Sequence, residues 1–393
     1  MTRRLIVLFA LLGFASAAQF SVPLRKSGSL RQKMIKEGRY SEYLLQRKTM
    51  QLSTGKQGLF DTMDEFYLAY IFLGTPDQPF RVSVDTASSV LWVLDVNCDS
   101  FNCNEPVQNV PLKDTYNSSA SSTFKDSDKN FLFPYPYQGT TKVYGLLGKE
   151  KVSMARFTLT NQDFIRATVV PDFYTEQPVD GVFGLGWPDQ QELKGVGTPM
   201  QTLLPQLDQP IFTIWMQRAD NATKESSGSI TYGGFDGEAC DKNIQYLPLA
   251  QPGVWGFFVE GWSMGSFKGT QNETAISASS SGWTGVPTAA FSHILKATKA
   301  KFDWELNAYT VSCSTIERQP DLNLNIGGNI YTIKSLDYVL DLGLNNGQCA
   351  LAFFSSAKMN ADWILGESFI RGYCHVYDFG NSRVGLSKFV KRD

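Results

Sequence analysis

Val84-Asp85-Thr86-Ala87-Ser88-Ser89-Val90-Leu91-Trp92-Val93 decides the reading of this 393-residue chain. The residues that lead into it, Phe80-Arg81-Val82-Ser83-Val84-Asp85, alternate apolar with polar, the period of a half-buried strand. Such a strand delivers Asp85 to a turn at its end, where a carboxylate can face a cleft. Hydroxyl residues follow, then the apolar run Val90–Val93.

The segment resembles the Asp-Thr-Gly-Ser-Ser…Leu-Trp-Val motif of the pepsin-like aspartic proteases. That family carries two such motifs, one per lobe, and each supplies one carboxylate. Here the second place reads Ala275-Ile276-Ser277-Ala278-Ser279-Ser280-Ser281-Gly282-Trp283-Thr284-Gly285, with Ala278 at the aspartate position. Other family segments follow in order. Leu73-Gly74-Thr75-Pro76 ends an expected strand. Asp180-Gly181-Val182-Phe183-Gly184-Leu185 has its counterpart in Trp363-Ile364-Leu365-Gly366-Glu367. Phe212–Met216, Gly228–Asp236, Cys374–Asp378 and Arg383–Leu386 match strands between and after these. The resemblance runs from about Val22 to Lys388. It implies an all-β, bilobal pepsin-like acid protease fold with a long cleft and few short helices. In the paired segments, two hydrophobic residues and a glycine let one chain cross tightly behind each active-site loop. The pairing looks like the trace of an internal duplication.

Composition agrees with this. Hydrophobic residues make up 42% and charged residues 19%, which suits a globular chain long enough for two cores. Arg3 and Arg4 precede an apolar run from Leu5 to Phe14 and then Ala15-Ser16-Ala17, the order of a secretory signal peptide. The run is too short for a membrane span. Residues 1–56 hold eleven Lys/Arg and two Asp/Glu, which leaves 25 basic and 36 acidic residues in the rest. A basic leader on an acidic body suggests a prosegment held by charge and released as carboxylates protonate. Its Val22-Pro23-Leu24-Arg25-Lys26 resembles the start of the family's prosegments. The expected division is 1–17 signal peptide, 18–56 basic prosegment, 57–217 N-terminal lobe and 218–393 C-terminal lobe. An acidic body argues against nucleic-acid binding. A secreted or lysosomal, monomeric protein without a membrane span follows.

Six cysteines in a secreted chain suggest three disulfides, with the connectivity open from spacing alone. The family resemblance implies Cys98–Cys103 and Cys313–Cys349, which leaves Cys240 with Cys374. With no C-x-x-C pair and only His293 and His375, neither a zinc site nor any cofactor is expected. Asn117, Asn221 and Asn272 head three glycosylation sequons.

Pepsin-like hydrolysis needs two carboxylates sharing a proton. One activates a water between them, and the other protonates the peptide group. Like charges in contact cannot both ionise, so the proton belongs to the pair. Ala278 breaks that coupling, and Asp85 is left as the one catalytic candidate. Loss of the acid role alone costs about 10²–10⁴ in rate. Glu273, five residues upstream, would stand roughly 16 Å back along a strand. Ala87 and Ser280 occupy the motif glycine positions, whereas Thr86 and Ser279 keep hydroxyls that can lace the two loops together. By the resemblance, Thr86, Ser88, Ser279 and the flap residues Gln138, Gly139 and Thr140 contact ligand. Gln138 falls where the family has a tyrosine unless Tyr135 or Tyr137 restores it. Lys142 faces Asp85, or a ligand carboxylate, or solvent. Trp92 supports the flap or simply fills the core.

Gly261-Trp262-Ser263-Met264-Gly265 spells a nucleophile elbow, but turn-like residues follow where a helix is required. A cysteine protease needs a free thiol, and every cysteine has a candidate partner. The leading expectation is a pepsin-family homologue, catalytically impaired, that binds an extended peptide or a protein in its cleft. Inactive members of the family are known as binding proteins or inhibitors. An active acid endopeptidase, and an inhibitor or surface-binding protein that uses other loops, are the alternatives.

Overall fold

A computed structural model describes the backbone of residues 20–26 and, with side chains, residues 67–390 apart from 101–102, 104–112, 135–141, 156, 172–173, 175–178, 188–192, 194, 218–227, 305, 343–345 and 358. The expected signal peptide, most of the prosegment, the flap residues Gln138, Gly139 and Thr140, and the Asn221 sequon lie outside the described residues.

Strands dominate, as the resemblance implies, and the architecture is the bilobal pepsin-like one. The largest sheet has thirteen strands. At its N-terminal end a meander of Lys125–Pro134, Lys142–Met154 and Phe157–Val169 packs antiparallel. Toward its middle, Tyr67–Leu73 pairs with Gln78–Asp85, and Gln78–Asp85 lies parallel to Gly181–Gly184. At the other end Gly228–Tyr232, Ile211–Met216, Tyr373–Asp378, Arg383–Lys388 and Gln245–Pro248 run side by side. The C-terminal strands therefore share a sheet with the N-terminal half, whatever boundary is drawn between the lobes near residue 217.

Residues Phe20–Lys26, within the stretch expected to be a prosegment, form a strand in that sheet. They pair antiparallel with Gly228–Tyr232 over five residues and meet Tyr67–Leu68 at their end. The remaining C-terminal residues build three smaller sheets around the eleven-residue helix Thr288–Thr298. One of them carries Glu273–Ser277, Trp363–Leu365 and Thr284–Val286.

Alternation in Gln78–Asp85 places Phe80, Val82 and Val84 in the core, as the period of two requires. Asp85, the last strand residue, stands opposite Gly184 of the parallel neighbour and is buried too. Three disulfides join Cys98 to Cys103, Cys240 to Cys374 and Cys313 to Cys349. Among the described residues no helix is long and apolar enough to cross a membrane.

Candidate active site

Two strand-to-loop corners meet at the centre of the molecule. The first is the end of Gln78–Asp85. Its loop is held from behind: Leu185 N donates to Asp85 O at 2.8 Å and Gly186 N to Ser88 O at 2.7 Å. Gly184 and Gly186 must be glycine, since a Cβ on Gly184 would stand 2.6 Å from Ser89 C and Val90 N. The second corner is the end of Glu273–Ser277, parallel to Trp363–Leu365. Ala278 N donates to Leu365 O and Glu367 N to Ser281 O, and a Cβ on Gly366 would collide with the carbonyls of Ser281 and Trp283. The paired segments of the sequence are thus two copies of one device, a glycine crossing tightly behind a loop.

The corners lock to each other reciprocally. Thr86 Oγ1 donates to Ser277 O (2.7 Å) and accepts from Ser279 N (3.0 Å). Ser279 Oγ donates to Val84 O (2.7 Å) and accepts from Thr86 N (3.1 Å). Each hydroxyl reaches the carbonyl two residues before its counterpart. Asp85 precedes Thr86 as Ala278 precedes Ser279, so both stand at matching places on the two corners.

Asp85 is 1% exposed. Burial pushes its carboxyl up to about 6, partly offset by hydrogen bonds from the Ala87 amide, the Ser280 side chain and the Ser88 amide. The Ala87 bond is 2.8 Å, to Oδ1. Among the described residues no cation pairs with Asp85. Ala278 is 3% exposed and belongs to an apolar cluster with Ile276, Ala361 and Ile364, against which Ala87, Val254, Phe354 and Met359 pack. The extra methyl of Ala87 is therefore absorbed by that cluster, and its backbone needs no positive φ.

Among the described residues no second acid substitutes. Glu273 opens the strand that ends before Ala278, and it accepts from Trp363 Nε1 at 2.8 Å instead of approaching Asp85. Lys142 is exposed at the head of its strand and forms no ion pair among the described residues. Trp92 is fully buried with Tyr174 edge-on at 4.9 Å. Ser88 is buried beside Asp85, within reach of Val90 N at 3.5 Å. The serine elbow does not form: Gly261–Met264 is a strand that turns straight back as Phe267–Gly269, with no helix after Ser263. Asn117 and Asn272 are exposed, and Asn117 Oδ1 caps the turn at Ser119.

One cluster was not anticipated. Ser277 Oγ lies 2.7 Å from Tyr377 Oη and 3.3 Å from His375 Nδ1, all three buried behind the corners. Tyr377 also bonds the Thr86 side chain. Burial drives the His375 imidazole down to about 3, and its Nε2 has no partner among the described residues. Ser277 is the last residue of the strand Glu273–Ser277, and nothing in that stretch of sequence points to the cluster.

Comparison with known proteins agrees with this construction. The family described as eukaryotic aspartyl protease matches residues 66–389. "Aspartic protease 1" of Caenorhabditis elegans is 41% identical, and "Aspartic protease 17" of the same organism 38%, each alignment spanning 98% of both chains. "Gastricsin" of Callithrix jacchus is 30% identical over 98% of both chains. Two glycine-backed corners, laced by reciprocal hydroxyls, define a pepsin-like aspartic peptidase scaffold. The chain belongs to the eukaryotic aspartyl protease family.

Proposed function

We propose that this chain is a pepsin-family homologue whose peptide-bond hydrolysis is lost or severely reduced, and that it works by holding an extended peptide or protein segment in the cleft. The observation that carries the reading is the reciprocal lock, which pairs Asp85 with Ala278. A carboxylate at 278 would share a proton with Asp85 and grip a water between them. A methyl does neither. Asp85 alone can act as a base on water, but the departing amine then has no positioned acid, and the water has one holder instead of two. Thr86 and Ser279 keep the corners in register, so the binding cleft outlives the chemistry. Gln138, Gly139 and Thr140 close over the ligand in this reading.

The same reading gives the chain a cleaved signal peptide over 1–17, a prosegment over 18–56, passage through the secretory pathway to the outside or the lysosome, glycans at Asn117, Asn221 and Asn272, and a monomeric state. Three disulfides suit such a compartment. The names of the nematode relatives favour a second reading, a working aspartic endopeptidase. That reading requires an acid opposite Asp85, and the described residues offer none.

Calorimetry with an extended apolar peptide, at pH 4 to 6, tests the proposal. Saturable binding is expected, with the peptide recovered intact by mass spectrometry. Peptide recovered in fragments, or no binding at any pH, would contradict it.

A further inference from the structure

The first corner offers a ligand one charge, and the second offers it none. Asp85 has no cation paired with it among the described residues. From Ala275 to Gly285 the second corner carries no ionisable side chain. The lock sets Ala278 at the place that matches Asp85. Its methyl is shorter than an aspartate side chain by a carboxyl group. Ala87 joins the acid to the apolar cluster around Ala278. Its amide donates to Asp85 Oδ1 at 2.8 Å, while its side chain packs on the cluster of Ile276, Ala278, Ala361 and Ile364. Val254, Phe354 and Met359 pack on the same cluster. All three, like Ala87, are partly exposed, so this wall is open to a ligand. An ionised carboxylate buried without a counter-charge is costly, and a ligand cation would relieve that cost. A lysine suits both features. Its alkyl stem lies along apolar surface, and its tip is a compact ammonium.

We propose that the two corners form a lysine site: the cleft ligand lays a lysine stem on Ala87, Val254, Phe354 and Met359 and pairs its ammonium with the Asp85 carboxylate. This deepens the reading of Asp85 as a lone carboxylate in a binding cleft, and rests on it. An aspartate at 278 would share a proton with Asp85. The methyl leaves the carboxylate to a cation and adds apolar surface for the stem. Few other groups compete. Arg81 and Asp180 pair with each other at 2.8 Å. Gly181–Gly184, beside Asp85, brings no charge. Behind the corners, Tyr377 and His375 meet Ser277, and burial pushes the phenol up and the imidazole down, so both stay neutral.

The test uses the chain as secreted and two extended apolar peptides blocked at both ends, one with lysine at its centre and one with norleucine there. Norleucine keeps the stem and lacks the ammonium. By calorimetry at pH 7, the lysine peptide is expected to bind at least about tenfold more tightly, the range of a hydrogen bond to a charged group. The preference should vanish at pH 4, where Asp85, with its midpoint raised to about 6, is protonated while the ammonium keeps its charge. It should vanish at pH 7 in Asp85→Asn. Equal affinities at pH 7, or a preference that Asp85→Asn keeps, overturn the inference. The norleucine peptide with a free N-terminus separates a terminal ammonium from a lysine. A gain there equal to that of lysine overturns the part given to the stem. Failure of both peptides to bind, or cleavage of either that Asp85→Asn abolishes, overturns instead the reading beneath.

Discussion

At the scale of single residues, the molecule turns on a buried acid that has no charged partner among the described residues. Asp85 is raised from near 3.8 to about 6, chiefly by burial. The folded chain therefore binds more protons at this site than the unfolded chain between these values. The stability from the protonated form is present in full below about pH 4 and lost as pH rises through 6. A shift of this size corresponds to roughly 3 kcal/mol at most. Asp85→Asn is expected to stabilise the chain at pH 7 by about 1–3 kcal/mol and to change little at pH 4, by urea unfolding at both pH values. Equal effects at the two values would show that Asp85 does not titrate in this window. Thr86 gives a second expectation. Its hydroxyl makes two interlobe hydrogen bonds in a buried site. Thr86→Ala should cost about 2–4 kcal/mol, since it strands a carbonyl and an amide, whereas Thr86→Ser should cost far less. A neutral Thr86→Ala would show that the lock does not hold the corners together.

At the scale of elements, the glycine-backed corners were the most legible part of the sequence. Their requirement is local: a strand end, a turn of hydroxyl residues and one glycine behind. Gly366→Ala pushes a methyl into two carbonyl oxygens of the neighbouring loop. It should cost several kcal/mol or prevent folding. Gly237→Ala meets nothing nearer than 3.9 Å and should be nearly silent. Comparable thermal shifts in the two would contradict the tight crossing. The Ser277–His375–Tyr377 cluster was not legible, because strands about a hundred residues apart in sequence bring its members together. His375 carries its own expectation. Burial lowers its imidazole from 6.5 to about 3, so the folded chain binds fewer protons between these values. That contribution to stability is present above 6.5 and lost as pH falls toward 3. His375→Asn should make the fold more resistant to acid, with an effect at pH 4 of roughly 3 kcal/mol at most and none at pH 7. Identical unfolding midpoints at pH 4 would rule out the imidazole as an acid-labile point.

Across the whole molecule, pattern and order of motifs carried the fold, because a strand-rich architecture repeats short alternating segments whose turns are written in glycine. The sharing of one sheet by the C-terminal strands, the N-terminal half and the leader strand was not written in any segment alone. Phe20–Lys26 sits in register between Gly228–Tyr232 and Tyr67–Leu73. Removing the leader thus leaves two strand edges to be paired again. On the proposed reading, a chain with a broken acid pair does not cut itself free. Material secreted by cells expressing the unmodified chain and Asp85→Asn should carry the same N-terminus on sequencing. A leader retained only in Asp85→Asn would show self-processing. The most direct measurement is the digestion rate of a denatured protein between pH 3 and 6, with the unmodified chain beside Asp85→Asn. Equal rates at the background level are predicted. Activity in the unmodified chain that vanishes with Asp85→Asn would show that Asp85 has found a partner for hydrolysis, and would contradict the loss of the acid pair.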